Sequence, residues 1–231
     1  MAFLRASSTQ HNRLLSSLPE RDRARLERYL EPITLKRRQR LEAANRKIEH
    51  ACFVEEGLVS IVAVEPSKRR QVEIALIGHE GLTGIPLILG AESSPLEALV
   101  QVEGRGRRIP ASVLRGFVQE SSSLLPCLLR YVSLFANQVQ ATARANAHGT
   151  IEERLARWLL LAHDLLERDE LRITHQHLSY ALGVRRAGID PALHEFESSA
   201  LIASSRRCVT ILDRAGLRER ANGLYQTPEV E

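Results

Sequence analysis

The stretch THQHLSYALGVRRAGIDPALHEFESSALIASSRRCVTIL, residues 174 to 212, decides how the chain is read. Thr174 carries a hydroxyl able to accept the first free amide of a helix, and Leu178, Ala181 and Leu182 follow at helical spacing. Gly183 supplies the backbone freedom of a tight turn, and Val184 can point back into a core. A second periodic run then places Ile189, Leu193, Phe196 and Leu201 on one side. Two short helices crossing at such a turn form a helix-turn-helix, whose second helix is shaped to enter a DNA major groove. Beyond it the basic turn Ser204-Ser205-Arg206-Arg207 leads into Val209-Thr210-Ile211-Leu212, a β-branched run that reads as the hairpin wing of a winged helix. Helix, glycine turn and helix also occur in all-helical domains with no nucleic-acid partner; the adjoining basic hairpin is what favours DNA.

The rest of the chain bounds this reading. It has 231 residues, 44% hydrophobic and 26% charged, enough for one large or two ordinary globular domains. No apolar run reaches the roughly 20 residues of a membrane span. MAFLRASSTQHNR at the start lacks the long apolar core of a secretory signal, so no membrane partner and a cytoplasmic location are expected. Cys52, Cys127 and Cys208 lie far apart without a Cys-x-x-Cys pair, which indicates neither a disulfide framework nor a structural zinc site. Net charge is only +4, so a case for a polyanionic partner rests on where the arginines fall.

Pro19-Glu20-Arg21-Asp22 signals a helix start, with Leu26, Tyr29 and Leu30 on its apolar face. From Ile33 to about Pro110 the texture changes to short runs: 33–35, 51–54, 58–64, 72–77, 96–102 and 107–109. Glu55-Glu56-Gly57 and Pro66-Ser67-Lys68-Arg69 read as turns between them. The pattern predicts a double-sheet jelly roll. A metal-binding cupin would need grouped histidines, whereas His50 and His79 are isolated. From Leu125 to Asn146 the period becomes helical. Leu125, Leu128, Val132, Phe135, Val139, Thr142 and Asn146 recur at three- and four-residue steps, a seam fit for a second copy of the same helix. The alternative is a helix packed on its own barrel, for which Leu124, Leu129 and Leu134 offer a second apolar side. Ala147-His148-Gly149 then breaks the helix, and Thr150-Ile151-Glu152-Glu153 reads as a capping box opening the next one, with Leu155, Trp158, Leu159, Ala162 and Leu166 on its apolar face. Trp158 is taken as core.

Thr174, Leu182-Gly183-Val184-Arg185-Arg186, Leu193, Ala200-Leu201-Ile202 and Ile211-Leu212-Asp213 resemble the DNA-binding end of Crp/Fnr-type bacterial transcription regulators. Phe53 to Ser60 and Gly78-His79-Glu80-Gly81-Leu82-Thr83-Gly84 resemble the sensory barrel of the same family, so the likeness spans most of the chain. It implies an α+β fold: a helix and jelly roll over 1–122, a dimerisation helix and hinge over 123–149, and a winged helix-turn-helix over 150–231. Carried over by position, Thr174, His175, Gln176 and Arg185 match sites that contact the DNA backbone, Arg186 matches the first base reader, and Arg206 and Arg207 on the wing would grip neighbouring phosphates. The implied partners are double-stranded DNA, a second copy of the chain and RNA polymerase, and the barrel holds either an effector of unspecified chemistry or none.

The chain departs from the family in two places. Members that bind cyclic nucleotides hold the ribose with a glutamate near the second glycine and the phosphate with an Arg-Ser or Arg-Thr pair. Here Gly84 is followed by Ile85, and no arginine stands beside Ser93-Ser94, so cyclic AMP is not expected. No cofactor is expected either: there is no N-terminal cysteine cluster for an iron–sulfur centre and no evident haem ligand. In the reading helix, Ala187 and Pro191 occupy base-reading positions without a side-chain donor. Pro191 would also delete a helix bond, at a cost of about 3 kcal/mol, whereas Asp190-Pro191 is a good fresh start. The expected recognition helix therefore begins late, at Pro191, or bends there, with Arg185-Arg186 in an extended turn. A competing reading is a sensor or interaction protein that keeps the fold and has lost operator binding. An enzyme is not expected, since His175 and His177 would point to different faces and no nucleophile with a base stands out.

Overall fold

Two fifteen-residue strands organise the N-terminal half of the chain, in a computed structural model that describes residues 12–64, 71–205 and 207–226. The elements run α1 (Arg13–Ser17), α2 (Glu20–Glu27), β1 (Glu31–Leu35), β2 (Arg40–Glu42), β3 (His50–Val64), β4 (Gln71–Ile77), α3 (Ile85–Ile88), β5 (Leu96–Pro110), α4 (Ala111–Glu120), α5 (Leu124–His148), α6 (Ile151–Leu166), β6 (Glu170–Leu171), α7 (His175–Ala181), α8 (Arg186–Ser198), β7 (Ile202–Ser205), β8 (Cys208–Ile211) and α9 (Arg214–Arg220). The fold is a jelly roll followed by a long helix and a winged helix-turn-helix.

All strand pairs are antiparallel, in the order β1-β5-β3-β4 with β2 added to β5, and in the order β6-β8-β7 in the wing. Sequence reading split β3 at Glu55-Glu56-Gly57 and β5 near Gly104; the structure joins each into one strand. The apparent turn is a run of register shifts between Val54 and Val59, where Gly57 has φ +96°. A Cβ on Gly57 would lie 2.6 Å from the carbonyl oxygen of Val102, and one on Gly104 would collide with the carbonyl of Glu56. Glycine thus marks a bulge that lets the backbones close and the sheet bend. The turn expected at Pro66 to Arg69 lies outside the described residues.

Two apolar cores follow. The first fills the roll with residues such as Phe53, Ile77, Leu82 and Ile109 and takes in Leu124, Leu128 and Tyr131 of α5. The second joins α6 to α9 and also includes Leu58, Leu76 and Val102 from the strands, so the C-terminal part packs directly on the roll. Edge strand β4 would expose unpaired backbone groups. The Gln138 side chain on α5 satisfies those of Leu76, accepting from its N–H at 2.6 Å and donating to its carbonyl at 3.1 Å. The capping box at Thr150 and Glu153 forms in both directions.

Candidate nucleic-acid interface

Thr174 caps α7 by accepting the His177 N–H at 3.1 Å, and Gly183, with φ +63°, turns the chain towards α8. Leu178, Ala181 and Leu182 on one side of the turn and Ile189, Ala192, Leu193 and Phe196 on the other are buried together in the second core. This burial fixes the crossing of the two helices. It leaves Arg186, Ala187, Asp190, Pro191 and His194 exposed on α8.

The reading helix starts earlier than the sequence implied. It is continuous from Arg186 to Ser198 with Pro191 inside it, and Asp190 is not its cap. Pro191 stands in the second turn, so only one backbone bond, to the carbonyl of Ala187, is forfeited. Full burial of apolar side chains is worth about 1.5–3 kcal/mol each. Ile189, Leu193 and Phe196 together therefore outweigh the proline penalty of about 3 kcal/mol. Only Arg185 keeps the extended conformation, at φ −70° and ψ 149°, as the residue preceding the helix.

Arg185, Arg186 and Arg207 are exposed, and among the described residues none of their three side chains takes part in an ion pair or hydrogen bond. Their donors are open to a phosphate or a base edge. Arg206 lies outside the described residues. Gln176 is exposed, its amide 3.3 Å from Ser179 Oγ. His175 is committed to the protein: Nδ1 lies 3.2 Å from Asp190 Oδ1 and Nε2 lies 2.9 Å from Ser204 Oγ, tying α7 to α8 and to β7. Thr174 is half-buried with its hydroxyl spent on the cap. The two histidines diverge, as their spacing required; His177 faces the roll.

On α5, Leu128 is fully buried in the roll's own core, so in this packing it has no surface to offer a second copy. Leu125, Val132, Phe135 and Val139 pack against that core while staying partly exposed, Thr142 accepts from Arg157 at 3.1 Å, and Asn146 is exposed. Of the apolar residues expected on the other side, Leu124 is buried and Leu129 is 42% exposed.

Sequence reading missed the junction between the roll and α6 and α7. Glu73, wholly buried on β4, accepts from Trp158 Nε1 at 2.5 Å and from the Ser60 hydroxyl. His177 Nε2 lies 3.9 Å from Glu73 Oε2 and has no hydrogen-bond partner. Burial raises the Glu73 carboxyl to about 7; burial and then nearby Arg37 lower the His177 imidazole to about 4. Arg157, lowered by burial to about 10, donates to the Gln138 carbonyl and the Thr142 hydroxyl of α5. At the far end of α6, His79 Nδ1 stands 2.8 Å from the Leu165 carbonyl. A cleft of about 370 Å³ opens beside the junction, with Arg37, Arg38, Gln101, Gln176, His177 and Tyr180 on its walls. A glutamate interrupting the apolar run 72–77 was the one signal available.

Residues 153–220 match the model of the Crp-like helix-turn-helix domain. The whole fold matches solved structures at low identity. A CRP-family transcriptional regulator from Thermus thermophilus aligns at 19% identity and a TM-score of 0.69 over 84% of this chain and 98% of that one. A putative regulator of the Crp/Fnr family from Eubacterium rectale has the same identity and TM-score over 91% and 98%. FixK2 from Bradyrhizobium japonicum aligns at 14% identity and 0.71 over 82% and 96%. No curated protein matches the chain in sequence. The chain thus has the fold of Crp/Fnr-type transcription regulators, and residues 153–220 are similar to the Crp-like helix-turn-helix domain. No helix among the described residues is long and apolar enough to cross a membrane.

Proposed function

We propose that the chain is a homodimeric, cytoplasmic transcription regulator that binds double-stranded DNA through its winged helix-turn-helix and does not respond to cyclic AMP. The observation that carries this reading is the pair Arg185-Arg186, exposed and unengaged where α8 opens inside a Crp-like helix-turn-helix domain. Arg185 positions the head on phosphate, Arg186 reads a base edge, and Arg207 steadies the wing on the next phosphates. Residues 1–122 serve as the sensory part, 123–149 as the dimer helix and hinge, and 150–231 as the reading head.

What supports the absence of a cyclic-nucleotide response is the occupation of the corresponding loop. Ile85 is buried in α3 behind Gly84, whose N–H is taken by the Glu42 carboxylate at 2.6 Å. Ser94 is buried and accepts from the Leu96 N–H at 3.0 Å, and the nearby Arg115 is paired with Glu92. Selection from a pool of randomised duplex DNA at low salt tests the proposal. Enrichment of a palindromic site whose halves lie about one DNA turn apart is expected for a dimer. Failure to retain any duplex would favour a sensor that has lost operator binding.

A further inference from the structure

We propose that Glu73 and His177 hold a single proton between them, and that this proton latches the helix-turn-helix to the roll. The inference deepens the proposed function and rests on it only for its consequence, since α7 is the first helix of the element taken to meet DNA.

The geometry is that of a closed junction. Glu73 stands on β4 and His177 on α7; both are at least nine-tenths buried, and their facing atoms are 3.9 Å apart. Glu73 receives hydrogen bonds from β3 through Ser60 and from α6 through Trp158. The charged and titratable groups around it are Arg157 and Arg154 on α6, His177 on α7, Arg37 and Arg38 at the turn between β1 and β2, and Arg144 on α5, which faces Arg157. None of these cations bonds the carboxylate, and Arg157 spends its donors on α5.

A buried carboxyl without a bonded cation favours its protonated form, and a buried imidazole favours its neutral form. Docked, the pair therefore keeps one proton from about pH 4 to about 7, on the Glu73 carboxyl with the His177 imidazole neutral. Separated and hydrated, the same two groups carry one proton between their ordinary values of 4.5 and 6.5. The proton counts nearly match, so docking is almost indifferent to pH across that interval. Above about 7 the shared proton leaves, and an unneutralised carboxylate remains beneath the head.

Each partner alone gives a slope of opposite sign. With Glu73→Gln only the imidazole is left, and docking strengthens as pH rises from about 4 to 6.5. With His177→Leu only the raised carboxyl is left, and docking weakens as pH rises from about 4.5 to 7. A single-proton linkage changes the docking equilibrium by up to about tenfold per pH unit. Trp158, the one tryptophan in the chain, bonds Glu73 and meets the His177 ring edge-on at 5.4 Å, so its emission reports the junction in the DNA-free protein. The expected result is emission moving towards the docked state with rising pH in E73Q, the reverse in H177L, and little change in wild type between about pH 4.5 and 6.5. Parallel profiles in the two variants would overturn the latch. Should a variant lack native circular dichroism, proton NMR of wild-type His177 decides: neutral down to about pH 4 upholds the latch, and titration near 6.5 overturns it. Because DNA is absent from these measurements, the latch and DNA binding fail or stand separately.

Discussion

Arg185 and Arg186 are neighbours to which the proposed function gives different tasks, and the difference is measurable. Arg185 precedes the helix in an extended conformation, whereas Arg186 is the first residue within it. If Arg185 meets a phosphate as proposed, Arg185→Ala should weaken binding to every duplex and lower the slope of log K against log salt by about 1. Arg186→Ala should cost about 1–3 kcal/mol on the preferred duplex and relax the choice of one base pair, seen by repeating the site selection with the variant. Thr174 has the capping duty that its place before the helix implied. Thr174→Ala should lower stability by about 1 kcal/mol in urea unfolding, and Thr174→Ser should recover most of it, because the cap needs only a hydroxyl.

At the scale of elements, the proline in α8 shows where local rules were overruled. Asp190-Pro191 reads as a helix start, and so it would be in isolation; Ile189, buried just before it, cannot reach the core unless the helix has already begun. Since Pro191 is exposed and costs a backbone bond, Pro191→Ala should stabilise the protein by roughly 1–3 kcal/mol in urea unfolding, and a loss of stability would contradict the helix described. The strands teach the converse lesson. Gly57 looked like a turn residue because the sequence cannot distinguish a glycine that ends a strand from one that lets two backbones close. Gly104→Ala should destabilise by about 1–3 kcal/mol, since the added methyl meets the carbonyl of Glu56. What was legible was whatever depends on neighbours in the chain: the two helices of the reading head, the wing, the capping box and the 25-residue helix α5. What was not legible depends on distant partners. His175 was assigned to DNA by position, yet Asp190 and Ser204 hold its ring. Leu128 was assigned to a partner helix, yet the roll covers it. Glu73 and His177, 104 positions apart, acquire meaning only when β4 and α7 meet.

For the molecule as a whole, the proposed function depends on joining two heads so that they meet one duplex. The proposed dimer surface is the part of α5 that the roll leaves partly open, with Val132, Phe135 and Val139 at its centre. An acidic group there would have to be desolvated on association, so Phe135→Asp should give a monomer in sedimentation with the fold retained, and should lose the preference for palindromic sites. The central claim is that exposed arginines at the start of α8 hold DNA, and the most direct test is the affinity of the selected duplex measured across a salt series for wild type and for the Arg185→Ala, Arg186→Ala double variant. The account predicts steep salt dependence in wild type, and in the double variant both a shallower slope and an affinity reduced to that for unrelated duplex. Equal affinity and equal slope in the two proteins would contradict it.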